Sequence, residues 1–178
     1  ILWNDVRSSA EAAYVRETVG NESLRRLAGN PSLEGFTVSK LLWMRNHEPQ
    51  LFEKISHMLL AKDYVRFRLT GELATDPSDA SATLLFDIVN SRWSGELCSM
   101  LGLDLTILPP IVESTGIVAR VTSVAATATG LTAGVPVVGG GADNACAAVG
   151  AGVVSSGDVL FSVGTSGTVV APISEPST

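Results

Sequence analysis

The sequence predicts an α/β protein with a helix-rich insertion at roughly residues 30–110. Short runs of β-branched residues alternate with helical periodicities in the last third of the chain, which is typical of α/β order. Residues that favour helix starts and glycines that favour helix ends recur throughout the insertion. With 178 residues, of which 46% are hydrophobic, the chain is long enough to bury a substantial core.

After an apolar opening, the first two thirds of the chain are predicted to be mainly helical. Residues 1–3 have the composition of a buried strand, and the three tryptophans at positions 3, 43 and 93 are expected in the core. Ser8, with Glu11 three residues later, has the capping-box pattern that begins a helix. Further helices are predicted over residues 21–27, 37–44, 62–69 and 94–101, with another starting at Pro49.

The last third of the chain becomes rich in Gly, Ala, Val and Thr. Strands are predicted at residues 117–119, 135–138, 159–163 and 168–171. Helices are predicted at 122–129 and 144–149, and residues 164–167 are expected to join the last two strands as a hairpin turn. Strand and helix therefore alternate through this region.

The segment after the strand at 135–138 is the most informative part of the chain. Gly139, Gly140 and Gly141 allow a sharp turn and the close approach of a ligand, since glycine has no Cβ. Asp143 follows at the start of a helix, where the helix dipole stabilises a carboxylate and where the carboxylate can accept a proton from a bound hydroxyl. Asp is also a common helix cap. Both interpretations remain open from this segment alone.

A second turn has the residue types of a phosphate cradle. Gly164, Thr165, Ser166 and Gly167 would direct backbone N–H groups and two hydroxyls into one turn. The same residues are common in ordinary hairpins, and that interpretation is favoured for this turn taken alone. Its occurrence together with the segment before Asp143 strengthens the phosphate interpretation.

Charge and composition argue against several functional classes. The net charge of −6 and the lack of a Lys/Arg run argue against nucleic acid as a partner, and no apolar stretch reaches the roughly 20 residues of a membrane helix. Cys98 and Cys146 lie in apolar surroundings, which suits a reducing compartment. His47 and His57 do not have zinc-site spacing, and no metal ligand is assigned. Asp76 and Asp79 have the spacing of a metal-binding pair, but beside Pro77 and Ser78 they are interpreted as turn and cap residues.

Four stretches of the sequence resemble segments of the FGGY family of carbohydrate kinases. These stretches are residues 2–8, residues 35–44, residues 75–81, and residues 139–144 followed by 161–168. The resemblance implies an actin-like ATPase fold built from ribonuclease-H-like lobes. It also implies an ATP-dependent kinase for a ketopentose, with D-xylulose as the expected sugar. Ribulose or gluconate kinase activity, and a non-catalytic sugar sensor, remain open.

The same resemblance assigns roles to individual residues. Asp143 would be the general base, Asn144, Gly140 and Gly141 would contact the sugar, and Gly164, Thr165 and Ser166 would bind ATP phosphates. Residues 1–154 would be the latter part of the sugar-binding lobe and 155–178 the start of the nucleotide-binding lobe. The other phosphate loop, the adenosine site and the metal-associated Asp would lie outside these 178 residues, so the isolated piece is expected to be inactive.

The cofactors and partners expected from the resemblance are few. ATP and Mg²⁺ would be the cofactors, and a small sugar would be the substrate. The location would be cytoplasmic, with neither nucleic acid nor membrane as a partner. A homodimer remains open.

Overall fold

The first part of the chain is almost entirely helical. The structure is a computed structural model that describes residues 1–164 and 167–174. Five helices come first: α1 (Ser9–Val19), α2 (Asn21–Ala28), α3 (Thr37–His47), α4 (Pro49–Phe52) and α5 (Ala61–Thr70). Helix α1 packs against both α2 and α3. The helical pattern predicted for this region is confirmed to within a few residues at each end.

The middle of the chain combines short helices with one small hairpin. Its elements are α6 (Pro77–Ala80), β1 (Phe86–Asp87), β2 (Arg92–Trp93) and α7 (Gly95–Leu101). Strands β1 and β2 pair antiparallel, and α7 packs on α1. This region therefore forms one body with the first helices.

Strands and helices alternate in the last part, as the sequence predicts. The elements are β3 (Ile117–Arg120), α8 (Ser123–Thr129), β4 (Pro136–Val138), α9 (Asp143–Gly150), β5 (Leu160–Val163) and β6 (Gly167–Val170). Strand β3 pairs antiparallel with β4, and β5 pairs antiparallel with β6. Among the described residues, each two-stranded ladder stands apart from the other two.

The core lies among α1, α2, α3 and α7. Its largest fully buried apolar side chains are those of Val15, Leu24, Val38, Leu42, Leu84, Leu85, Leu97 and Leu101. Burial of one such side chain stabilises a fold by about 1.5–3 kcal/mol. The hydrophobic effect therefore holds the helical region together.

Local capping explains where two of the helices begin. The Ser94 hydroxyl accepts a hydrogen bond from the Leu97 amide at 3.2 Å, and the Thr122 hydroxyl accepts one from the Ala125 amide at 3.1 Å. Each satisfies a backbone donor that has no partner inside its helix. The sequence predicts helices that start at residues 94 and 122, and the structure confirms both starts to within one residue.

The predicted strand at residues 1–3 is wrong. These residues form a turn in which the Asp5 amide donates to the Leu2 carbonyl at 3.2 Å, and Trp3 is 76% exposed. Trp3 is therefore not a core residue, while Trp43 and Trp93 are partly buried. A strand needs a pairing partner, and residues 1–3 find none within the described part of the chain.

The capping box at Ser8 is not formed either. Ser8 precedes α1, but its hydroxyl lies 3.4 Å from the Glu34 carbonyl and from Ser39 Oγ and makes no bond to an α1 amide. Glu11 is buried and accepts a hydrogen bond from Asn46 at 3.0 Å. Ser8 and Glu11 therefore bond to residues that are distant in the sequence and do not form the local capping box.

None of the helices in the described part of the chain combines the length and the apolar character that crossing a membrane requires.

Candidate functional site

Residues 139–142 form an irregular link between β4 and α9. Gly140 has φ +82°, a left-handed conformation that side chains rarely adopt. Asp143 is the first residue of α9, and its Oδ1 accepts a hydrogen bond from the Asn144 amide at 2.8 Å. Asp143 and Asn144 are both exposed, so the structure presents their side chains to solvent beside the glycines.

Ala142, and not Asp143, is the N-cap residue of α9. Asp143 is therefore not the N-cap residue itself, although its carboxylate accepts a hydrogen bond from the Asn144 amide at the start of α9. Asp143 still lies in the first helical turn, where the aligned peptide dipoles stabilise a negative charge. Its carboxylate remains available for chemistry at the surface.

The backbone of the glycine segment is held by the chain around residue 115. The Gly139 amide donates to the Gly116 carbonyl at 3.0 Å, and the Gly140 amide donates to the Ser114 carbonyl at 2.9 Å. These bonds continue the β3–β4 pairing past the end of β4. They fix the position of the glycine segment relative to strands β3 and β4.

Two side chains from α5 and α6 hold the same segment from the other side. The Ala142 amide donates to the Ser78 hydroxyl at 2.9 Å. The Arg66 guanidinium donates to the Gly139 carbonyl. Side chains more than 60 positions away therefore bond to the residues on either side of Gly140 and Gly141.

The protein itself fills the space beside two of the glycines. A Cβ on Gly139 would lie 2.5 Å from the Glu113 carbonyl oxygen, and a Cβ on Gly141 would lie 2.9 Å from Cys146 Sγ. A Cβ on Gly140 would meet only Lys62 Cδ, at 3.7 Å. Packing thus accounts for Gly139 and Gly141, and the positive φ accounts for Gly140.

A buried ionic cluster lies beneath this segment. The Lys62 ammonium lies 2.7 Å from Asp63, 2.8 Å from Asp76 and 3.3 Å from Asp79. Arg66 lies 2.9 Å from Asp63, and both of these residues are buried. Buried charges need such pairing, because removal from water strongly disfavours an isolated ion.

The charge states in the cluster follow from burial and hydrogen bonding. Burial would raise the pKa of Asp76, but hydrogen bonds from Lys62 and Ser78 outweigh it and hold that pKa below its ordinary value. Burial would likewise lower the pKa of Lys62, and its carboxylate partners raise it instead. Burial raises the pKa of Asp79 despite the nearby Lys62. Lys62 and Asp76 are therefore a charged pair at neutral pH.

Most of this cluster was not predicted from the sequence. Lys62, Asp63 and Arg66 were included only in a predicted helix, where charged residues usually face solvent. The turn and cap interpretation of Asp76 is confirmed, since its Oδ2 accepts from the Ser78 amide at 3.0 Å. A Lys-Asp-x-x-Arg spacing on one helix was the available signal, but it does not reveal its distant partners.

The second predicted site falls partly outside the described residues. Gly164 follows β5 and is exposed, while Thr165 and Ser166 lie outside the described residues. The hairpin that they were predicted to join is confirmed, with Phe161 opposite Val169 and Val163 opposite Gly167.

The surroundings predicted for the cysteines are confirmed for only one of the two. Cys98 is buried, whereas Cys146 is exposed on α9. Within residues 1–164 and 167–174, no three His, Cys, Asp or Glu side chains are arranged to hold a metal ion.

Comparison with known proteins identifies the family. Residues 1–150 match the N-terminal domain of the FGGY family of carbohydrate kinases. The match covers most of the chain and includes α1 to α9, the ionic cluster and Asp143. The chain therefore belongs to the FGGY family of carbohydrate kinases.

Within that family, xylulose kinases are prominent among the relatives. The chain is 46% identical to the xylulose kinase of Bacillus subtilis over 170 residues, covering 96% of this chain and 34% of that protein. It is 41% identical to the Escherichia coli xylulose kinase over 167 residues, covering 94% of this chain and 34% of that protein. The chain thus spans about a third of the length of the curated relatives it matches.

Solved structures of the family have the same fold. A xyloylose kinase from Brucella ovis superimposes with a TM-score of 0.88 at 40% identity, covering 96% of this chain and 35% of that one. The xylulose kinase of Rhodospirillum rubrum gives a TM-score of 0.87 at 31% identity, covering 93% and 34%. The predicted α/β, actin-like ATPase fold is therefore confirmed.

Proposed function

We propose that this chain is part of an ATP-dependent sugar kinase that converts D-xylulose to D-xylulose 5-phosphate. The observation that carries the proposal is the 46% identity to a xylulose kinase over 96% of the chain. The exposed carboxylate of Asp143 at the start of α9 supplies the chemical group that such a reaction needs. We further propose that residues 1–154 belong to the sugar-binding lobe and 155–178 to the nucleotide-binding lobe.

Asp143 acts as the general base in this proposal. A hydroxyl oxygen of the sugar attacks the γ-phosphorus of ATP, the bond from that phosphorus to the β-phosphate bridging oxygen breaks, and ADP leaves. The hydroxyl proton passes to the Asp143 carboxylate. Phosphoryl transfer depends mainly on positioning and charge stabilisation, so Asp143 also orients the attacking hydroxyl.

The neighbouring residues serve to bind the sugar and ATP. Asn144 is exposed beside Asp143 and offers an amide to the sugar hydroxyls. Gly140 presents backbone without a side chain, and Gly141, whose side-chain space Cys146 Sγ fills, would contact the sugar through its backbone N–H and C=O groups. Gly164, Thr165 and Ser166 are proposed to contact the ATP phosphates through backbone N–H groups and hydroxyls.

ATP is the proposed phosphoryl donor, and Mg²⁺ is proposed to accompany it. Bound Mg²⁺ would neutralise charge on the phosphates. No residue of this chain is assigned as its ligand, since the metal-associated Asp is expected outside these 178 residues. The three carboxylates around Lys62 are already paired with its ammonium.

The decisive experiment measures ATP consumption by the full-length protein against a panel of sugars. D-xylulose, D-ribulose, gluconate and glycerol form the panel, since family members differ in substrate. A preference for D-xylulose in kcat/KM is expected. Preference for another sugar would replace the substrate, and sugar binding without any ATP consumption would indicate a sensor.

The role of Asp143 is tested in the same assay by Asp143→Asn. Loss of a general base lowers the rate by roughly 10²–10⁴-fold. The matched control is Asp104→Asn, which removes an exposed carboxylate that caps a short turn elsewhere. Near-normal turnover of Asp143→Asn would remove the base assignment.

The phosphate role is tested by Thr165→Val. This variant is expected to raise the KM for ATP more than the KM for the sugar. Unchanged ATP kinetics would make residues 164–167 an ordinary hairpin turn.

A further inference from the structure

A relay of hydrogen bonds connects the ionic cluster to the residue before Asp143. The Ala142 amide donates to Ser78 Oγ at 2.9 Å, and the Ser78 hydroxyl in turn donates to Asp76 Oδ2 at 2.5 Å. Ala142 is the N-cap residue of α9, directly before Asp143. Ser78 therefore fixes the backbone at the point where the helix carrying Asp143 begins.

A second branch from Asp76 reaches Gly140. The Ser114 hydroxyl donates to Asp76 Oδ2 at 3.0 Å, and the Ser114 carbonyl accepts from the Gly140 amide at 2.9 Å. Asp76 Oδ2 thus accepts hydrogen bonds from two hydroxyls. Each hydroxyl belongs to a serine that is also hydrogen-bonded to the glycine segment or to Ala142. Asp76 lies where the two branches meet.

The glycine segment depends on these bonds for its position. Glycine has the largest backbone freedom of all residues and offers no side chain to pack. Three consecutive glycines before α9 would leave the start of that helix loosely placed unless hydrogen bonds fixed it. The bonds at Gly139, Gly140 and Ala142 supply that restraint.

Asp76 is suited to this task by its burial and charge. Its side chain is 0% exposed, and the Lys62 ammonium lies 2.8 Å from its other oxygen. Hydrogen bonds to an ionised carboxylate are about twice as strong as those between neutral groups. The carboxylate therefore holds Ser78 and Ser114 in one orientation.

We infer that Asp76, acting through Ser78 and Ser114, is a positioning residue for Asp143. The inference rests on the proposed function, in which Asp143 accepts the proton of the sugar hydroxyl. The relay sets where that carboxylate lies and does not itself touch the reacting atoms. A small misplacement of a catalytic group can cost roughly 10²-fold in rate.

The test compares three serine variants in the full-length protein. Ser78→Ala removes the acceptor for Ala142, and Ser78→Thr restores a hydroxyl. Ser81→Ala is the matched control, since its hydroxyl donates to the Ser78 carbonyl at 2.8 Å, within the same short segment. Steady-state kcat, the KM for ATP, the melting temperature and the amide hydrogen exchange of Ala142 are measured for each.

A positioning role predicts a specific pattern. Ser78→Ala should lower kcat by up to roughly 10²-fold, the loss that a misplaced catalytic group can cause. The KM for ATP should stay close to its original value, the Ala142 amide should exchange faster, and Ser78→Thr should recover most of kcat. Ser81→Ala should leave kcat and Ala142 exchange unchanged. If Ser78→Ala changes only the melting temperature, the relay is purely structural and the inference is wrong.

Two further variants make every outcome decisive. If Ser78→Ala does not fold, Ser114→Ala decides, because it cuts the other branch and should lower kcat in the same direction. An inactive Asp143→Asn beside a fully active Ser78→Ala would overturn the inference and leave the proposed function standing. A fully active Asp143→Asn would overturn the role of Asp143 as general base, and the positioning role with it, whereas the sugar panel alone decides whether the protein is a xylulose kinase.

Discussion

Cys146 Sγ occupies the space in which a side chain at Gly141 would begin. A Cβ at position 141 would lie 2.9 Å from that sulfur, closer than real contacts allow, and 3.4 Å from Ser78 Oγ. Cys146 lies in α9, the helix into which the glycine segment leads. The pair therefore predicts coupling between substitutions at the two positions.

Gly141→Ala should destabilise the protein unless Cys146 is made smaller. Overpacking typically costs about 1–3 kcal/mol, and Cys146→Ala in the same chain should recover much of that loss. Denaturant unfolding of the two single variants and the double variant measures the coupling. Gly150→Ala is the control, since a Cβ there meets nothing within 4 Å and alanine favours helix. Additive effects of the two substitutions would show that the contact carries no energy.

The two cysteines should differ sharply in reactivity. Burial, with a smaller contribution from Asp104, raises the pKa of the Cys98 thiol to about 11, so it stays protonated at neutral pH. The thiolate is the reactive form, and Cys98 is only 2% exposed, whereas Cys146 is exposed. A chromogenic disulfide reagent should therefore titrate one thiol rapidly and the second only after unfolding. Cys146→Ser should abolish the rapid phase, and a rapid phase that survives would contradict this assignment.

Asp76 should make the protein sensitive to acid. Its pKa in the folded protein lies below the value of about 3.9 for an unfolded Asp. The stabilisation is therefore fully present above that unfolded value and is lost as the pH falls towards the folded value. Urea midpoints measured from pH 6 to pH 3 should fall less steeply for Asp76→Asn than for the unchanged protein.

Asp79→Asn is the matched control for this prediction. Burial raises the pKa of Asp79, so its titration opposes the acid loss, and removing it should steepen the fall in the urea midpoint. Both carboxylates contact the ammonium of Lys62, but the pKa of Asp76 is lowered and that of Asp79 is raised, so the two substitutions should change the acid dependence in opposite directions. Equal slopes for the two variants would show that another group controls the acid transition.

Local sequence signals predicted the elements whose stabilising partners lie nearby in the chain. Ser94 and Thr122 cap helices through amides three residues away, and glycines follow both helices. The run of three glycines before Asp143 also predicted a turn there, followed by a helix that begins at Asp143. Such contacts depend on a few neighbouring residues, so one sequence suffices to identify them.

Features fixed by distant partners could not be predicted in the same way. The three apolar residues at the start match a strand, but a strand also requires a pairing partner that no local pattern specifies. The role of Arg66 depends on a carbonyl 73 positions later, at Gly139. Sequence spacing alone therefore predicts that Arg66 is an exposed charge on a helix, although Arg66 is buried.

The β5–β6 hairpin should make the isolated 178-residue chain self-associate. Phe161 is 69% exposed and Val163 is 86% exposed, and within the described residues the two strands pair only with each other. Unpaired edges with exposed apolar side chains invite pairing with other chains, and an isolated two-stranded hairpin is only marginally stable. Light scattering over a concentration series should show oligomers.

The double variant Phe161→Thr with Val163→Thr should shift the chain towards monomer while keeping residues that favour strands. Val124→Thr is the control, because Val124 is 82% exposed but lies on helix α8, away from any strand edge. A chain that stays monomeric at all concentrations, or one that responds equally to both changes, would show that the hairpin does not drive association.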